Sequence, residues 1–509
     1  MKAVQIQNLR GLTDTGEIPL KLINVLVGAN SSGKSTFLRL FPLLKQGFGA
    51  RKSGPILWYG EDVDFGNFKT SLRNGQKSIN LSFGIEIDQR EIGERQFHNY
   101  TRSSLQKLPV TVSISVVDES INNLSIKICN QTINLSFDRD KRYVQTCVIN
   151  GKDYIQEIGD VIGIISSNSI LPTLLSRVGI QAQKERLFFS SWSDIQKQTI
   201  NAIKDLIDKR ASLRTIETIV NDISIDSKEK LLGKAKSSQL LNSWTKRMAS
   251  ANLDSHLFCR INDFIILYFL SDLVSVVDAT LCQIIKNSYY MAPVRASAQR
   301  YYRVQNLSVS SIDSMGQNLP MFLANMSETH RKRFHGWMDK HFGFYPEVKN
   351  RAGHISMYLV DGTKGKYNMA DRGFGYSQIL PILTQLWALT NGYNRRIHGR
   401  KDRSNTILFA IEQPELHLHP LLQKMVAKAF VASTEEAKRN NIDLKIVLET
   451  HSNTIIDSLG EMVANKEISQ DDITIALFDS ELQESQYNVR LANYTSEGFL
   501  ENWPIGFFD

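Results

Sequence analysis

Apolar and polar residues alternate along the first third of the chain in runs that predict β-strands. Residues 1–27 alternate in this way and end in the apolar run LINVLV (22–27), which predicts a hairpin that leads into a buried strand. Between 79 and 150, several short alternating runs are separated by Asn, Asp and Gly, a pattern typical of an antiparallel sheet. We therefore predict an N-terminal segment, residues 1–150, that carries a buried strand and an antiparallel β-subdomain.

The apolar spacing becomes helical in the middle of the chain and mixed towards its end. Residues 155–287 are rich in Leu, Ile, Lys and Gln at helical spacing, and no heptad pattern persists over several repeats. From 355 onwards, predicted strands and helices alternate, as they do in a parallel α/β layer. The pattern predicts a mainly helical insertion over 151–345 and an α/β segment over 346–509.

Composition narrows the class of protein. Of the 509 residues, 42% are hydrophobic and 22% are charged, which is ordinary for a folded globular protein, and the formal net charge of +8 permits an anionic partner such as nucleic acid. The four cysteines form no CxxC pair, so we predict neither a zinc knuckle nor a disulfide framework. This cysteine usage fits a reducing compartment, and we predict a cytoplasmic location. The most apolar stretch, 264–277, is too short and too interrupted to span a bilayer, so we expect a buried helix and no membrane contact.

The strongest chemical motif is GANSSGKS, residues 28–35. It matches G-x-x-x-x-G-K-[ST] and lies between an apolar strand and an amphipathic helix. In such a loop the glycines let backbone N–H groups face phosphate oxygens, the lysine neutralises the β- and γ-phosphates, and the hydroxyl ligates Mg²⁺. The motif predicts ATP and Mg²⁺ as ligands, with contacts from Asn30, Ser31, Ser32, Gly33, Lys34, Ser35 and Thr36.

An acidic strand end supplies the second half of this predicted site. TILFAI (406–411) predicts a buried strand, and Glu412 stands at its carboxyl end, where open α/β sheets place their ligands. We predict that Ser35 and Glu412 hold the metal. Gln413 follows where a nucleotide hydrolase usually has the carboxylate that activates water, and an amide cannot accept that proton. Because most of the chain separates Lys34 from Glu412, the nucleotide-binding fold must be split around a large insertion.

The segment DRGFGYSQILPIL (371–383) resembles the signature segment in the ABC-type ATPase heads of SMC-like proteins. In that family the segment caps the γ-phosphate of ATP held by a second subunit. The resemblance implies a homodimer or a higher even oligomer with two ATP–Mg²⁺ between subunits. The matching positions are Gly373, Gly375, Ser377 and Gln378.

The segment KIVLETHSNTII (445–456) carries the resemblance further. It predicts an apolar strand that ends in Glu449, Thr450 and His451, and in the family the histidine at this place contacts the γ-phosphate and the attacking water. We therefore predict a catalytic group of three residues, Glu412, Gln413 and His451. The glutamine of the loop after the first helix stays open between Gln46 and Gln76.

The stretch ELHLHP (415–420) resembles the inter-subunit loop of the same family. Its two histidines, His417 and His419, also fit a metal site together with Glu415. We favour the subunit contact, because no other Cys/His cluster supports a metal.

Four further stretches resemble the bacterial group that includes the PtuA ATPases of Septu and retron anti-phage systems. The resemblance implies a two-lobed ABC-type ATPase head with a helical insertion that acts as the sensor or regulatory subunit beside a separate HNH-type nuclease. The stretches are GPILWYGEDVDFGNFK (54–69), YYMAPVRASAQRYY (289–302), IEQPELHLHP (411–420) and WPIGFFD (503–509).

Other motifs bear on partners and on rival functions. Three basic segments, 295–303, 331–335 and 395–403, are candidates for contact with DNA or with retron RNA/DNA. Neither TOPRIM carboxylates nor HNH spacing is recognisable, so we expect ATPase activity, slow or conditional because of Gln413, and no intrinsic nuclease. The main alternative is an SMC-like DNA repair or DNA-binding ATPase, which would need long heptad arms.

Overall fold

The computed structural model describes most of the chain. It describes all residues except 51, 53, 94–105, 139–141, 178–188, 191, 305–308, 352, 363–364, 394–404, 480–486 and 504–509. The predicted basic segment 395–403 and most of the terminal stretch 503–509 therefore lie outside the described residues.

The helices of the described residues are, in chain order, α1 (Lys34–Leu38), α2 (Leu40–Lys45), α3 (Phe68–Ser71), α4 (Ile155–Ile158), α5 (Ser193–Ile207), α6 (Leu213–Ile223), α7 (Lys228–Ser237), α8 (Asn242–Ala249), α9 (His256–Lys286), α10 (Leu319–Asn325), α11 (Glu328–Phe342), α12 (Phe374–Thr390), α13 (Pro420–Arg439) and α14 (Asn453–Ala464).

The strands of the same residues are β1 (Ala3–Leu9), β2 (Leu12–Asp14), β3 (Ile18–Pro19), β4 (Ile23–Gly28), β5 (Ile79–Asp88), β6 (Lys107–Val117), β7 (Ser120–Ile128), β8 (Gln131–Phe137), β9 (Val144–Ile149), β10 (Lys152–Asp153), β11 (Val161–Ile164), β12 (Thr173–Arg177), β13 (Phe189–Ser190), β14 (Ser288–Met291), β15 (Tyr302–Arg303), β16 (Phe344–Arg351), β17 (His354–Asp361), β18 (Gly365–Asn368), β19 (Thr406–Glu412), β20 (Asp443–Glu449), β21 (Ile473–Phe478), β22 (Val489–Tyr494) and β23 (Leu500–Glu501).

The chain divides into two compact units, and each is built from separate stretches of sequence. The first unit contains residues 1–9, 47–59 and 65–283, and the second contains residues 10–46, 60–64 and 284–509. This division differs from the three predicted successive segments. The reason is strand pairing, because β4 joins a sheet whose other strands come from the far end of the chain.

The second unit is organised by a sheet in the order β14-β19-β20-β4-β21-β22-β23. The first five of these strands run parallel, and β22 and β23 are antiparallel additions. Strands β4 and β19 are buried along their whole length, because their sequences INVLVG and TILFAIE are apolar up to the last residue. The predicted α/β layer is confirmed, and its strand β4 comes from the N-terminal part of the chain.

The second unit also contains a smaller antiparallel sheet with β15, β16, β17 and β18. Helix α12 is apolar on all sides and is buried from Ser377 to Thr390. It belongs to the same hydrophobic core as the central strands, which includes Trp387, Phe409 and Ile446. That core fixes the position of the segment before α12 relative to the sheet.

The first unit contains the predicted antiparallel sheet, in the order β10-β9-β8-β7-β6-β5-β1. Burial alternates residue by residue along β5, as its sequence INLSFGIEID requires for a sheet with one buried face. The predicted helical stretch forms α4 to α8 and most of α9, and β11 to β13 add a small sheet that the sequence pattern did not predict. The predicted fold class, α/β with an antiparallel subdomain and a helical region, is confirmed.

Helix α9 is long and apolar enough to cross a membrane by length and composition alone. Its most apolar window is 67% buried inside the protein, as is typical of a core helix. The predicted buried helix over 264–277 is confirmed.

Candidate functional site

The loop between β4 and α1 is shaped by two glycines. Gly28 and Gly33 have φ of 149° and 104°, values that side chains other than glycine rarely adopt. A Cβ on Gly28 would lie 2.2 Å from the carbonyl oxygen of Phe478, and one on Gly33 would lie 2.4 Å from Cδ2 of Leu12. The loop can therefore curl tightly only because both positions are glycine.

Lys34 lies beneath this loop. Its side chain is 3% exposed, and Nζ donates hydrogen bonds to the carbonyl oxygens of Gly28 at 2.9 Å and Ala29 at 2.7 Å. Burial lowers the pKa of Lys34, and the nearby Glu449 opposes that shift. The cation is thus held by neutral acceptors, which a phosphate oxygen can replace with a stronger charge-assisted bond.

The remaining predicted loop residues lie around this cation. Asn30 and Ser31 are exposed, and Thr36 is half-buried in the first turn of α1. Ser32 is buried, and within the described part of the chain its Oγ has no hydrogen-bond partner. A buried hydroxyl is normally satisfied, so this one fits a loop that completes its hydrogen bonds with a ligand.

The hydroxyl of Ser35 contacts a carboxylate other than the predicted one. It donates to Oε2 of Glu449 at 2.7 Å, because Glu449 ends β20, the strand next to β4. Burial raises the pKa of Glu449, and the neighbouring Glu412 raises it further, while Ser35 and Lys34 oppose the shift. Glu449 had no assigned role in the sequence-based site.

Glu412 is held by two other side chains. Arg39 donates from Nε to Oε1 at 2.6 Å and from a terminal nitrogen to Oε2 at 2.7 Å, and the hydroxyl of Tyr290 donates to Oε1 at 2.7 Å. The bond to Glu412 raises the pKa of Arg39, and burial together with the charge of Glu412 raises the pKa of Tyr290. The structure therefore brings Ser35 and Glu412 onto the same sheet edge without bringing them into contact.

A tight turn follows Glu412 and brings a third carboxylate to the site. Gln413 has a φ of 43°, and its N–H donates to the carbonyl oxygen of Glu449 at 2.8 Å. Two residues later, Oε1 of Glu415 accepts the N–H of His451 at 2.7 Å. Burial raises the pKa of Glu415, whereas partial burial and the charge of Lys34 lower the pKa of His451. The turn thus holds Gln413 against Glu449, the last residue of β20, and Glu415 against His451, two residues further along.

The four predicted signature residues have two different environments. Gly373 precedes α12 and is exposed, and a Cβ on Gly375 would lie 2.8 Å from the carbonyl oxygen of His417. In contrast, Ser377 donates to the carbonyl oxygen of Phe374 at 2.6 Å, and Gln378 is fully buried. Only the glycine end of the segment is therefore positioned at the surface.

Arg295 explains the burial of Gln378. The Gln378 amide accepts the backbone N–H of Arg295 at 3.0 Å and donates to its carbonyl oxygen at 2.9 Å. The Arg295 guanidinium is 1% exposed and donates to the carbonyl oxygen of Glu412 at 2.6 Å. Burial lowers the pKa of Arg295 to about 10. Arg295 therefore cannot serve the predicted nucleic-acid surface 295–303, in which Arg300 is also paired, with Asp371.

Sequence reasoning missed Arg39, Tyr290 and Arg295. Arg39 directly follows α1 and lies one helical turn after Ser35, a spacing that shows only that the two residues lie on the same side. Tyr290 reaches Glu412 because β14 pairs in parallel with β19, which becomes predictable only once the strand order is known. The choice between Gln46 and Gln76 as the glutamine of the loop after the first helix stays open. The Gln46 side chain accepts the N–H of Val63 at 3.2 Å, whereas Gln76 belongs to the first unit.

The histidines after the turn are not gathered around a metal. His419 caps α13 by accepting the N–H of Leu421 at 3.3 Å, while Glu415 is turned towards His451. Among the described residues, no group of three or more His, Cys, Asp and Glu side chains is arranged to hold a metal ion.

Comparisons with known proteins give a family and a set of weak structural similarities. No curated protein matches the chain. One similar structure is the Smc head domain of Pyrococcus furiosus, with an extended coiled coil and bound to the C-terminal domain of ScpA; it is 11% identical, the match covers 97% of this chain and 96% of that chain, and the TM-score is 0.33. Another is the SMC head domain of Thermotoga maritima, which is 8% identical; the match covers 97% of this chain and 98% of that chain, and the TM-score is 0.34. A third is the Smc head domain of Pyrococcus yayanosii, with a coiled coil and joint, which is 10% identical; the match covers 98% of this chain and 97% of that chain, and the TM-score is 0.33.

The sequence comparison with family models covers most of the chain. The model described as the AAA ATPase domain matches residues 1–456, a range that includes the P-loop, both acidic strand ends and His451. The chain therefore belongs to the AAA ATPase domain family.

Proposed function

We propose that this ATPase is a nucleotide-gated switch that hydrolyses ATP slowly or conditionally. In the proposal it closes as a homodimer, or as a higher even oligomer, and acts in the cytoplasm as the sensor or regulatory subunit of an anti-phage complex with a separate HNH-type nuclease. The observation that carries the ATP site is the P-loop. Lys34 is buried beneath it, and the acidic ends of β19 and β20 lie at the same sheet edge.

The residues of this edge fit ATP–Mg²⁺. Two glycines give the loop its tight curl, the Ser32 hydroxyl has no hydrogen-bond partner among the described residues, and Lys34 supplies the cation. Ser35 would hold Mg²⁺ together with an acidic strand end, a role that the motif gives to Glu412 and for which the hydrogen bond to Ser35 makes Glu449 the second candidate. When bound, Mg²⁺ neutralises charge on the phosphate oxygens.

The residues around the turn would act on water. Gln413 can orient a water molecule by hydrogen bonding but cannot take its proton. His451 supplies a second hydrogen-bonding group, and Glu415 is held against the His451 backbone. Because most catalysis of phosphoryl transfer is positioning and charge stabilisation, these groups support turnover without a carboxylate at position 413.

The exposed start of α12 is the proposed subunit contact. Gly373 and Gly375 would approach ATP on a second copy of the chain, while Ser377 and Gln378 support them from inside their own copy. The proposed defence role, the nuclease partner and contact with DNA or retron RNA/DNA rest on the sequence resemblance. A phage-plating assay that compares cells carrying the gene and its neighbours with cells carrying a Lys34→Ala form tests that role.

Lys34→Ala tests the nucleotide site itself. Loss of a buried, charge-assisted contact costs about 1.5–3 kcal/mol, so ATP affinity should fall by about tenfold or more. Isothermal titration calorimetry of both proteins measures the change, and Lys69→Ala, which alters an exposed lysine of α3, is the matched control. Equal ATP affinity in the Lys34→Ala and wild-type proteins would contradict the P-loop assignment.

A further inference from the structure

Two carboxylates end neighbouring strands at the same level of the sheet. Glu412 of β19 and Glu449 of β20 are direct partners in the parallel register. Both are buried, with 2% and 4% of their surface exposed. Two adjacent buried carboxylates repel each other unless cations or donors stabilise them, so the identity of each partner indicates what each carboxylate does.

The partners of Glu412 occupy both of its oxygens. Arg39 approaches as a two-pronged donor, and Tyr290 adds a third hydrogen bond to Oε1. A bidentate guanidinium–carboxylate pair satisfies the charge and the geometry of the carboxylate at once. Glu412 therefore meets any metal ion with its charge already paired and with a single lone pair of Oε2 left without a donor.

The partner of Glu449 is the hydroxyl that the P-loop motif assigns to Mg²⁺. The Ser35 hydroxyl donates a hydrogen bond to Oε2 of Glu449, which leaves the lone pairs of Oγ as acceptors. A carboxylate in that position orients the ligand oxygen and increases its basicity, which is how outer partners tune metal ligands. The pair of Ser35 and Glu449 is thus preset for a divalent cation, with Lys34 beside it.

We infer that Glu449, and not Glu412, is the carboxylate that serves the Mg²⁺ site with Ser35, and that Arg39 and Tyr290 hold Glu412 as a structural anion. This inference rests on the proposed ATP site. It gives Glu449, at the end of β20, the Mg²⁺ role that sequence reasoning gave to Glu412, at the end of β19.

The test is Mn²⁺ binding in the presence of saturating ATP, measured by electron paramagnetic resonance. Glu449→Gln and Ser35→Ala should each weaken Mn²⁺ binding by about 10–100-fold. The double variant should be no weaker than the weaker single variant, because both changes remove one interaction. ATP affinity measured without divalent cations should be unchanged in Glu449→Gln.

Two comparisons make the test decisive. The Glu412→Gln protein should keep wild-type Mn²⁺ affinity. If that protein does not fold because Arg39 loses its partner, the two single variants and the double variant of Ser35 and Glu449 are sufficient to test the inference. Wild-type Mn²⁺ affinity in Glu449→Gln, or additive losses in the double variant, would overturn this inference and leave the proposed ATP site intact. Failure of the wild-type protein to bind ATP at all would overturn both.

Discussion

Three buried or partly buried glutamates at one sheet edge have different chemistry because their neighbours differ. Glu412 is paired with a guanidinium, Glu449 with a hydroxyl, and Glu415 with a backbone N–H. Burial of a carboxylate disfavours its charged form. Burial is the main cause that raises the pKa of Glu449 and of Glu415, and it outweighs the hydrogen bonds and the nearby cations that oppose the shift.

The amide of Gln413 gives the first prediction at this scale. If Gln413 positions the attacking water, Gln413→Glu should raise steady-state phosphate release by about tenfold or more, since general bases contribute that much or more. Gln413→Ala should lower it without weakening ATP binding. The two variants share the positive φ of this position, so each controls for backbone strain in the other. Equal rates in all three proteins would show that residue 413 is not at the chemistry.

Glu415 gives a prediction about pH. Its folded-state pKa is raised above the ordinary 4.5, so the folded protein binds more protons than the unfolded chain between those two values. The contribution of Glu415 to stability is therefore fully present below pH 4.5 and is lost as pH rises through the raised pKa. Urea unfolding from pH 4.5 to pH 8 should show wild type losing stability relative to Glu415→Gln.

The matched control for that experiment is Glu435→Gln, which alters an exposed glutamate of α13. Its stability relative to wild type should change much less with pH. A difference between wild type and Glu415→Gln that stays constant over the whole range would contradict the assignment of Glu415 as a desolvated carboxylate.

At the scale of elements, the site is the meeting of three parallel strand ends. Gly28, Glu412 and Glu449 end β4, β19 and β20, so parallel pairing alone brings the P-loop and both carboxylates to one edge. This much was predictable from apolar runs that end in chemically active residues. The choice of partner for each carboxylate was not, because side chains from other elements decide it.

Helix α12 is a second case in which the element was predictable from the sequence and the partners of its side chains were not. Its glycine-rich start and apolar continuation predict a helix that begins near Gly373, as the structure confirms. By motif alone, Ser377 and Gln378 fit a subunit contact. In the structure, Gln378 is held inside the unit by Arg295, an arginine that sequence reasoning placed in an exposed basic segment. Burial of Arg295 depends on long-range packing, which a local pattern does not contain.

The exposed start of α12 gives a prediction at this scale. A Cβ on Gly373 meets open space, and its φ of −56° suits any residue, so Gly373→Arg should fold as wild type does. The added bulk should block the ATP-dependent association of two copies while ATP binding by each copy stays intact. Chemical crosslinking with and without ATP measures association, and calorimetry measures binding.

The control for Gly373→Arg is Gly362→Arg. Gly362 is also exposed, and a Cβ there also meets open space. Association of the Gly362→Arg protein should match wild type. ATP-dependent crosslinking of Gly373→Arg at the wild-type level would contradict the role of this segment as a subunit contact.

At the scale of the whole molecule, the chain interleaves two units. The P-loop strand and the acidic strands come from opposite ends of the sequence, so the second unit is complete only after nearly the whole chain is present. The first unit, with its antiparallel sheet and helices, occupies most of the sequence between them. The wide separation of the motifs predicted this insertion, but the exact division depends on which strands pair.

The measurement that tests the account most directly is sedimentation velocity of the wild-type protein with and without ATP–Mg²⁺. One chain has a mass of 57.8 kDa, and the account predicts that ATP–Mg²⁺ changes the sedimenting species towards a closed pair of chains. Lys34→Ala should sediment identically under both conditions, because it lacks the cation that holds the nucleotide. A wild-type sedimentation profile that ATP–Mg²⁺ leaves unchanged, at concentrations that saturate the site, would contradict the nucleotide-gated switch.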